Sequence, residues 1–207
     1  MATGPALRTA LIVNECQRGV IERGVGAFAG LIDEVEARGI VPRIAALAAA
    51  FRAAGQPVVH APVAHRADFA DVQANTLLGA MARKHRRMVA GSTEAAFVSA
   101  LEPAAEDIVV GRSSGLIAFN GTSLDAVLRR MGVGRVVLAG VSTNVAITGC
   151  AMAAADLGYH VLVAEDCIAA SDPVTHATIV REQLRMIARI VSADEAAAAL
   201  VGGGQGD

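Results

Sequence analysis

The chain has 207 residues and a formal net charge of −2, and 54% of its residues are hydrophobic although only 3% are aromatic. This length favours one domain with a core of small aliphatic side chains, and no apolar run approaches the roughly 20 residues that span a membrane. We expect no signal peptide, no membrane association and no nucleic-acid partner. Three cysteines without metal-ligand spacing, Cys16, Cys150 and Cys167, favour a reducing, cytoplasmic location.

The apolar runs and turn residues predict strands that alternate with helices. In chain order we predict a strand at 9–14, a glycine-marked loop, a helix at 42–54 and a strand at 56–61. An irregular stretch at 62–92 precedes a short helix at 93–101, a strand at 107–110 and a loop at 111–120. A helix at 123–131, a strand at 136–139 and a helix ending near 157 follow. The last elements are a strand at 159–164, a helix at 172–186, a strand at 188–191 and a helix at 193–200.

This alternation predicts an α/β fold, namely a three-layer α/β/α sandwich with a six-stranded, mainly parallel, Rossmann-like sheet. We assign residues 1–200 to a single domain and 201–207, which are rich in glycine, to a flexible tail. In such sheets the site lies beyond the carboxyl ends of the strands. Four segments are thereby selected: 14–18, 60–66, 111–119 and 141–147.

The last of these segments belongs to a buried strand that leads through a tight turn into a helix. Gly140 permits a sharp exit from the strand, and Ser142, Thr143 and Asn144 are favourable helix caps. The first residues of the helix interior, Val145 to Ile147, carry no reactive side chain. A helix start at this edge favours developing negative charge, so the stretch indicates a site without an obvious attacking group.

Four runs, 114–125, 128–133, 136–144 and 158–166, resemble the isochorismatase-like cysteine hydrolase superfamily, which includes isochorismatases, nicotinamidases and N-carbamoylsarcosine amidases. The resemblance spans about residues 8–192. It implies an aspartate after the first strand, a lysine after the third and a cysteine nucleophile after the fourth. It also implies a cis peptide after the glycine of the fourth strand, here Val141–Ser142, which would help to form an oxyanion hole.

All three catalytic positions differ from the family pattern. The aspartate position falls on Glu15, and the cysteine position falls on Ala146, which is no nucleophile. The lysine position falls on Ser113 or, counted from the strand, on Arg112, and the single lysine, Lys84, lies in the long loop. The resemblance therefore identifies a divergent member that lacks the catalytic cysteine and lysine.

The site that follows from these positions has Glu15 as its catalytic residue. We expect the substrate to contact Gln17, His65, Arg112, Ser113, Phe119, Val141, Ser142, Asn144 and Ala146. Structural alternatives remain open for several residues: Glu15 can be an exposed carboxylate and Arg112 part of a surface ion pair. Cys16 and Cys150 can be small core residues rather than displaced nucleophiles. We expect no metal, because the Asp-x-His metal motif of nicotinamidases is not reproduced, and no cofactor.

Three functions remain open at this point. The first is a hydrolase acting without a cysteine on a small, anionic molecule, with Glu15 as general acid or base, as the isochorismatases in this superfamily cleave a vinyl ether. The second is an inactive family member that serves as a small-molecule-binding or oligomeric structural protein. The third is an amidase with a relocated thiol. The resemblance further implies a homodimer or homotetramer.

Overall fold

The computed structural model describes residues 7–201, and a parallel sheet lies at the centre of this part of the chain. Its strands stand in the order β3-β2-β1-β4-β5-β6, and every neighbouring pair is parallel. The strand bounds are Arg8–Asn14 (β1), Val58–Ala61 (β2), Ile108–Val109 (β3), Val133–Val141 (β4), His160–Ala169 (β5) and Arg189–Val191 (β6). The predicted α/β class with six strands is confirmed.

Helices cover both faces of the sheet. They are Arg18–Ile21 (α1), Ala29–Arg38 (α2), Ile40–Ala53 (α3), Leu77–His85 (α4), Leu124–Arg130 (α5), Thr148–Asp156 (α6), Pro173–Ile179 (α7), Arg185–Ile187 (α8) and Ala193–Val201 (α9). A 3₁₀ turn spans Ser99–Leu101, and π-helical turns span Thr143–Ile147 and Val180–Leu184. Among these residues no helix is long and apolar enough to cross a membrane.

Side-chain alternation along the strands divides the core into two layers. Leu11 and Val13 of β1 face a cluster built on α2, α3 and α9, whereas Ala10 and Ile12 face a cluster built on α5 and α6. Because both faces are covered, the central strands are apolar on both sides. This explains why continuous apolar runs, rather than alternating ones, predicted the strands.

The strand order reverses between β1 and β4, which lie side by side. Asn14 and Gly140 end these strands as a register pair. Gly140 has φ of 101°, and a Cβ at this position would lie 2.1 Å from the carbonyl oxygen of Asn14. The close approach therefore requires glycine, and it opens the crevice in which ligands of such sheets bind.

Two parts of the prediction are corrected by the structure. The helix predicted at 93–101 reduces to the 3₁₀ turn, because the segment before it bonds to the loop after β1: the N–H of Arg18 donates to the carbonyl of Ala96 at 2.8 Å. Conversely, α2 and α4 lie in stretches for which no helix was predicted. The predicted tail lies outside the described residues except for Val201, which ends α9.

Candidate functional site

A cavity of about 1100 Å³ lies at the carboxyl ends of β1 and β4. Its floor and walls include five of the predicted site residues, namely Glu15, His65, Arg112, Ser142 and Ala146. Residues of α4 and of the loop after it, among them Leu78, Met81, His85 and Met88, line the opposite wall. The topology thus brings the segments that follow β1, β2, β3 and β4 into one cavity, as the sheet rule predicted.

Glu15 and Arg112 form an ion pair at the base of this cavity. A guanidinium N–H of Arg112 donates to Oε1 of Glu15, and weaker bonds of 3.4 Å reach the carbonyls of Gly115 and Leu116. The side chains are 5% exposed for Arg112 and 19% exposed for Glu15. Of the two residues considered for the lysine position, Arg112 and Ser113, it is Arg112 whose side chain lies beside the Glu15 carboxylate.

Burial raises the pKa of the Glu15 carboxyl above its ordinary value. The charge and hydrogen bond of Arg112, and the charge of His65, act in the opposite direction but do not cancel the effect of burial. A carboxyl with a raised pKa holds its proton at a higher pH than an exposed one. Glu15 is thus suited to donate a proton as well as to accept one.

The backbone around the cavity adopts conformations that are uncommon for residues other than glycine. Glu15, Phe69, Arg86 and Met88 have φ values between 49° and 55°. Glu15 and Met88 line the cavity, the Phe69 ring packs against His65, and the Arg86 guanidinium lies over the Phe69 ring. Left-handed conformations of this kind cost free energy and cluster at functional sites.

The turn after β4 has the form that the resemblance implied. The Val141–Ser142 peptide bond is cis, Ser142 faces the cavity, and the π-helical turn Thr143–Ile147 follows. Ala146 lies on the cavity wall and is 2% exposed, so the position of the family nucleophile presents only a methyl group.

A buried hydrogen-bond chain supports this turn from behind, and sequence reasoning did not identify it. The Thr143 hydroxyl lies 3.1 Å from Nδ1 of His176, whose Nε2 lies 2.7 Å from Oε1 of Glu165. Arg38 donates to the same Glu165 oxygen at 2.6 Å. Because an ionised carboxylate only accepts, Nε2 carries a proton, and in the neutral ring Nδ1 is then the acceptor for the Thr143 hydroxyl.

Gln17 and Ser113 were predicted to contact substrate, and the structure places neither against the cavity. The Gln17 amide is fully buried, where it donates to the carbonyls of Val63 and Ala95 and accepts from the N–H of Val63. Gln17 thereby links the loop after β1 to the segments that contain Val63 and Ala95. The Ser113 hydroxyl donates to Asp71, and its carbonyl accepts from His65 at 2.7 Å.

Phe119, Val141 and Asn144 also lie away from the cavity wall. Phe119 is 8% exposed and packs in the core against Tyr159, with ring centroids 6.0 Å apart. Val141 is fully buried in the cluster beneath α2 and α3, because the strand alternation turns it away from the site. Asn144 is exposed at the outer side of the turn.

His60 and the three cysteines lie buried in the core. His60 bonds Asp107 at 3.0 Å inside the core, and residues 7–201 contain no group of three or more potential metal ligands. All three thiols are buried, and burial raises the pKa of Cys150 to about 11 and that of Cys167 to about 12. A thiol in this state is a poor nucleophile at neutral pH.

Comparison with known proteins agrees with this geometry. The profile of the Isochorismatase domain family matches residues 9–195. The chain is 34% identical over 191 residues to the uncharacterized isochorismatase family protein YecD of Escherichia coli O157:H7, covering 92% of this chain and 95% of that one. It is 32% identical over 166 residues to maleamate amidohydrolase of Pseudomonas putida, covering 78% and 72%.

A solved structure extends the likeness to three dimensions. An isochorismatase family protein from Desulfovibrio vulgaris superimposes with a TM-score of 0.83 at 29% identity, covering 95% of this chain and all of that one. The family profile, the sequence identity and the shared fold agree with one another, and the chain belongs to the isochorismatase family of hydrolases.

Proposed function

We propose that this protein hydrolyses a small molecule with water as the nucleophile and Glu15 as general acid–base. The observation that carries the proposal is the pairing across one cavity of a carboxyl with a raised pKa, Glu15, and a methyl group, Ala146, at the nucleophile position of the family. Without a side chain that attacks, hydrolysis requires the direct addition of water. A positioned acid that protonates the substrate makes that addition possible.

Glu15 would act on the atom at which negative charge would otherwise develop. In an amide, its proton goes to the leaving nitrogen, and in a vinyl ether it goes to the terminal carbon. Water then adds to the electron-poor carbon, and the resulting carboxylate form of Glu15 is stabilised by Arg112. Arg112 thereby supports the acid through both protonation states, which is a role that the family assigns to a lysine cation.

That the substrate is anionic stays a prediction, but Arg112 is no longer the group expected to bind it. The Arg112 guanidinium is already engaged by Glu15 and by two backbone carbonyls. An anionic group would instead meet the imidazole of His85, which also lines the cavity. The amidase with a relocated thiol is disfavoured, because Cys16 and Cys150 are at most 1% exposed and lie outside the cavity wall.

A small-molecule-binding protein without catalysis is the second candidate. The replacement of the nucleophile by a methyl group favours it, and so does the ion pair, because the Arg112 cation favours the carboxylate form of Glu15. The two candidates share the cavity and differ in turnover alone. A ligand that stabilises the protein against heat and is not consumed would identify the binding function.

A panel of small amides and vinyl ethers separates the candidates. The purified protein is incubated with maleamate, other primary amides and chorismate-type vinyl ethers, and products are followed by mass spectrometry. For any substrate found, we expect Glu15→Gln to lower kcat by roughly 10²-fold to 10⁴-fold. Glu182→Gln, at a side chain that is 60% exposed and does not line the cavity, is the matched control. Full activity in the Glu15 variant would refute the acid role.

A further inference from the structure

Direct attack by water needs a group that removes a proton from that water. Glu15 serves as the acid and is held by Arg112. A second titratable group that faces the cavity from another wall is therefore required if both proton transfers occur in one step. The charged and titratable side chains on the cavity wall, besides Glu15 and Arg112, are His65, Asp71, His85, Arg87 and Glu94.

His65 is fixed at both its backbone and its ring. Its N–H donates to the carbonyl of Met88 at 2.8 Å, and its carbonyl accepts from the N–H of Ala90 at 2.8 Å. Its ring packs against Phe69 with centroids 5.6 Å apart. The residue is 8% exposed and lines the cavity. A ring held in this way loses little freedom when a ligand binds.

The hydrogen bond to Ser113 determines which ring nitrogen of His65 is free. Nδ1 lies 2.7 Å from the carbonyl oxygen of Ser113. A carbonyl only accepts, so Nδ1 carries the proton, and in the neutral ring Nε2 holds the lone pair. Nε2 has no hydrogen-bond partner among residues 7–201. This is the tautomer of a general base that is oriented through its other nitrogen.

One short segment orients both groups. Arg112 holds the carboxylate of Glu15, and the next residue, Ser113, holds the imidazole of His65. The segment itself is tied to the chain after β2, since the N–H of Ala64 donates to the carbonyl of Arg112 at 2.9 Å. The Ser113 hydroxyl donates to Asp71 and fixes the other side of the loop. The acid and the imidazole are thus held in one frame.

We propose that His65 is the general base that activates the attacking water, an inference that rests on the water-attack function proposed above. For an amide, Nε2 of His65 takes one proton from the water as the water oxygen bonds to the carbonyl carbon. Glu15 gives its proton to the leaving nitrogen as the carbon–nitrogen bond breaks. The proton on His65 then returns to the Glu15 carboxylate through solvent, so that one water is consumed and no net proton.

The other basic groups on the wall fit this role less well. His85 is exposed at the end of α4, and its ring has no contact that fixes its orientation among the described residues. Glu94 accepts from the N–H of Met88 at 2.8 Å and is paired with Arg87 at 2.9 Å. Asp71 accepts from the hydroxyl of Ser113 through Oδ2, and its Oδ1, which has no partner among the described residues, is buried. His65 alone among these described groups combines a fixed ring with an unoccupied acceptor.

The tautomer and accessibility of His65 can be tested without a substrate. Long-range ¹H–¹⁵N spectra of the wild-type protein should show the proton of neutral His65 on Nδ1. Diethyl pyrocarbonate, which acylates unprotonated imidazole nitrogens, should modify His65 in the folded protein, as located by peptide mass spectrometry. A proton on Nε2, or an unmodified His65 in a sample whose exposed His85 and His160 react, would overturn the proposal.

The catalytic role is tested on the substrate that the panel identifies. His65→Asn keeps an N–H that can donate to Ser113 but removes the base, and we expect kcat to fall roughly 10²-fold to 10⁴-fold with KM within about threefold. Imidazole added to His65→Ala should restore part of the rate, which a purely structural histidine would not show. His160→Asn, at the opposite end of the sheet, is the control.

The outcomes separate this inference from the proposed function. If Glu15→Gln abolishes activity and His65→Asn does not, the water-attack function stands and the base is another group. If both variants retain full activity, both proposals fail. Loss of activity in His65→Asn with no rescue of His65→Ala by imidazole, together with a lower free energy of unfolding, would overturn the base role and leave His65 as a structural donor.

Discussion

Replacing Arg112 with methionine removes the cation beside a largely buried carboxylate. The two side chains are only 5% and 19% exposed, and removing one partner of a buried pair costs about 3–5 kcal/mol. The loss here should be smaller, about 2–3 kcal/mol near neutral pH, because Glu15 retains some exposure and can take up a proton instead of remaining charged. Urea unfolding followed by circular dichroism measures the change.

The loss of stability in Arg112→Met should depend on pH, in a direction set by the pKa of Glu15. Burial already raises the pKa of Glu15 above its ordinary value of 4.5, and the loss of Arg112 raises it further. Between the ordinary and the raised pKa the folded state binds more protons than the unfolded state, so stability falls as pH rises through that window. Arg112→Met should therefore lose more stability at about pH 8 than at about pH 5.

Two variants serve as references for Arg112→Met. In Arg181→Met the lost partner is Glu182, in a pair whose side chains are 63% and 60% exposed, and we expect unfolding close to that of the wild type. The double variant Glu15→Gln with Arg112→Met should recover part of the loss, because no charge is left without a partner. Equal stability of Arg112→Met and Arg181→Met at both pH values would refute the buried pair.

Two further predictions concern the strand ends and the thiols. Gly140→Ala should lower the free energy of unfolding by at least ~3 kcal/mol, because its Cβ would meet the Asn14 carbonyl oxygen at 2.1 Å. Gly132→Ala, with φ of 69° and open space around its Cβ, should lose only about 1 kcal/mol in the same urea titration, and equal losses would contradict the close approach. A thiol reagent should find no reactive thiol in the native protein and three after denaturation; a fast-reacting native thiol would contradict the burial of Cys16, Cys150 and Cys167.

The central strands, and the edge of the sheet that holds the site, could be predicted because short stretches of sequence identify them. The apolar runs of β1 and β4 end in polar residues or glycine, and strand–helix alternation then determines which ends meet. Helix α4 was not predicted; it buries no residue in the core, and its apolar side chains Leu78, Met81 and Ala82 line the cavity instead. The predicted helix at 93–101 failed because a long-range contact, from Arg18 to Ala96, overrides local propensity.

Side-chain direction limited the prediction of the site. The positions of Glu15, Ser142 and Ala146 after their strands were enough to predict that they lie at the cavity. They were not enough to predict whether Arg112 or Ser113 contacts Glu15, because the two side chains bond different partners: Arg112 bonds Glu15 and Ser113 bonds Asp71. Gln17 follows Glu15 by two residues, yet its amide is consumed by backbone groups. Such outcomes depend on contacts with distant segments, which a single sequence does not reveal.

The kcat of Glu15→Gln, measured on the substrate that the panel identifies, tests the central claim most directly. The variant replaces a carboxyl with an amide of similar size that cannot transfer a proton. If water attacks and Glu15 moves the proton, kcat falls at least ~10²-fold while KM and the free energy of unfolding stay near those of the wild type. A kcat within about twofold of the wild-type value would contradict the claim.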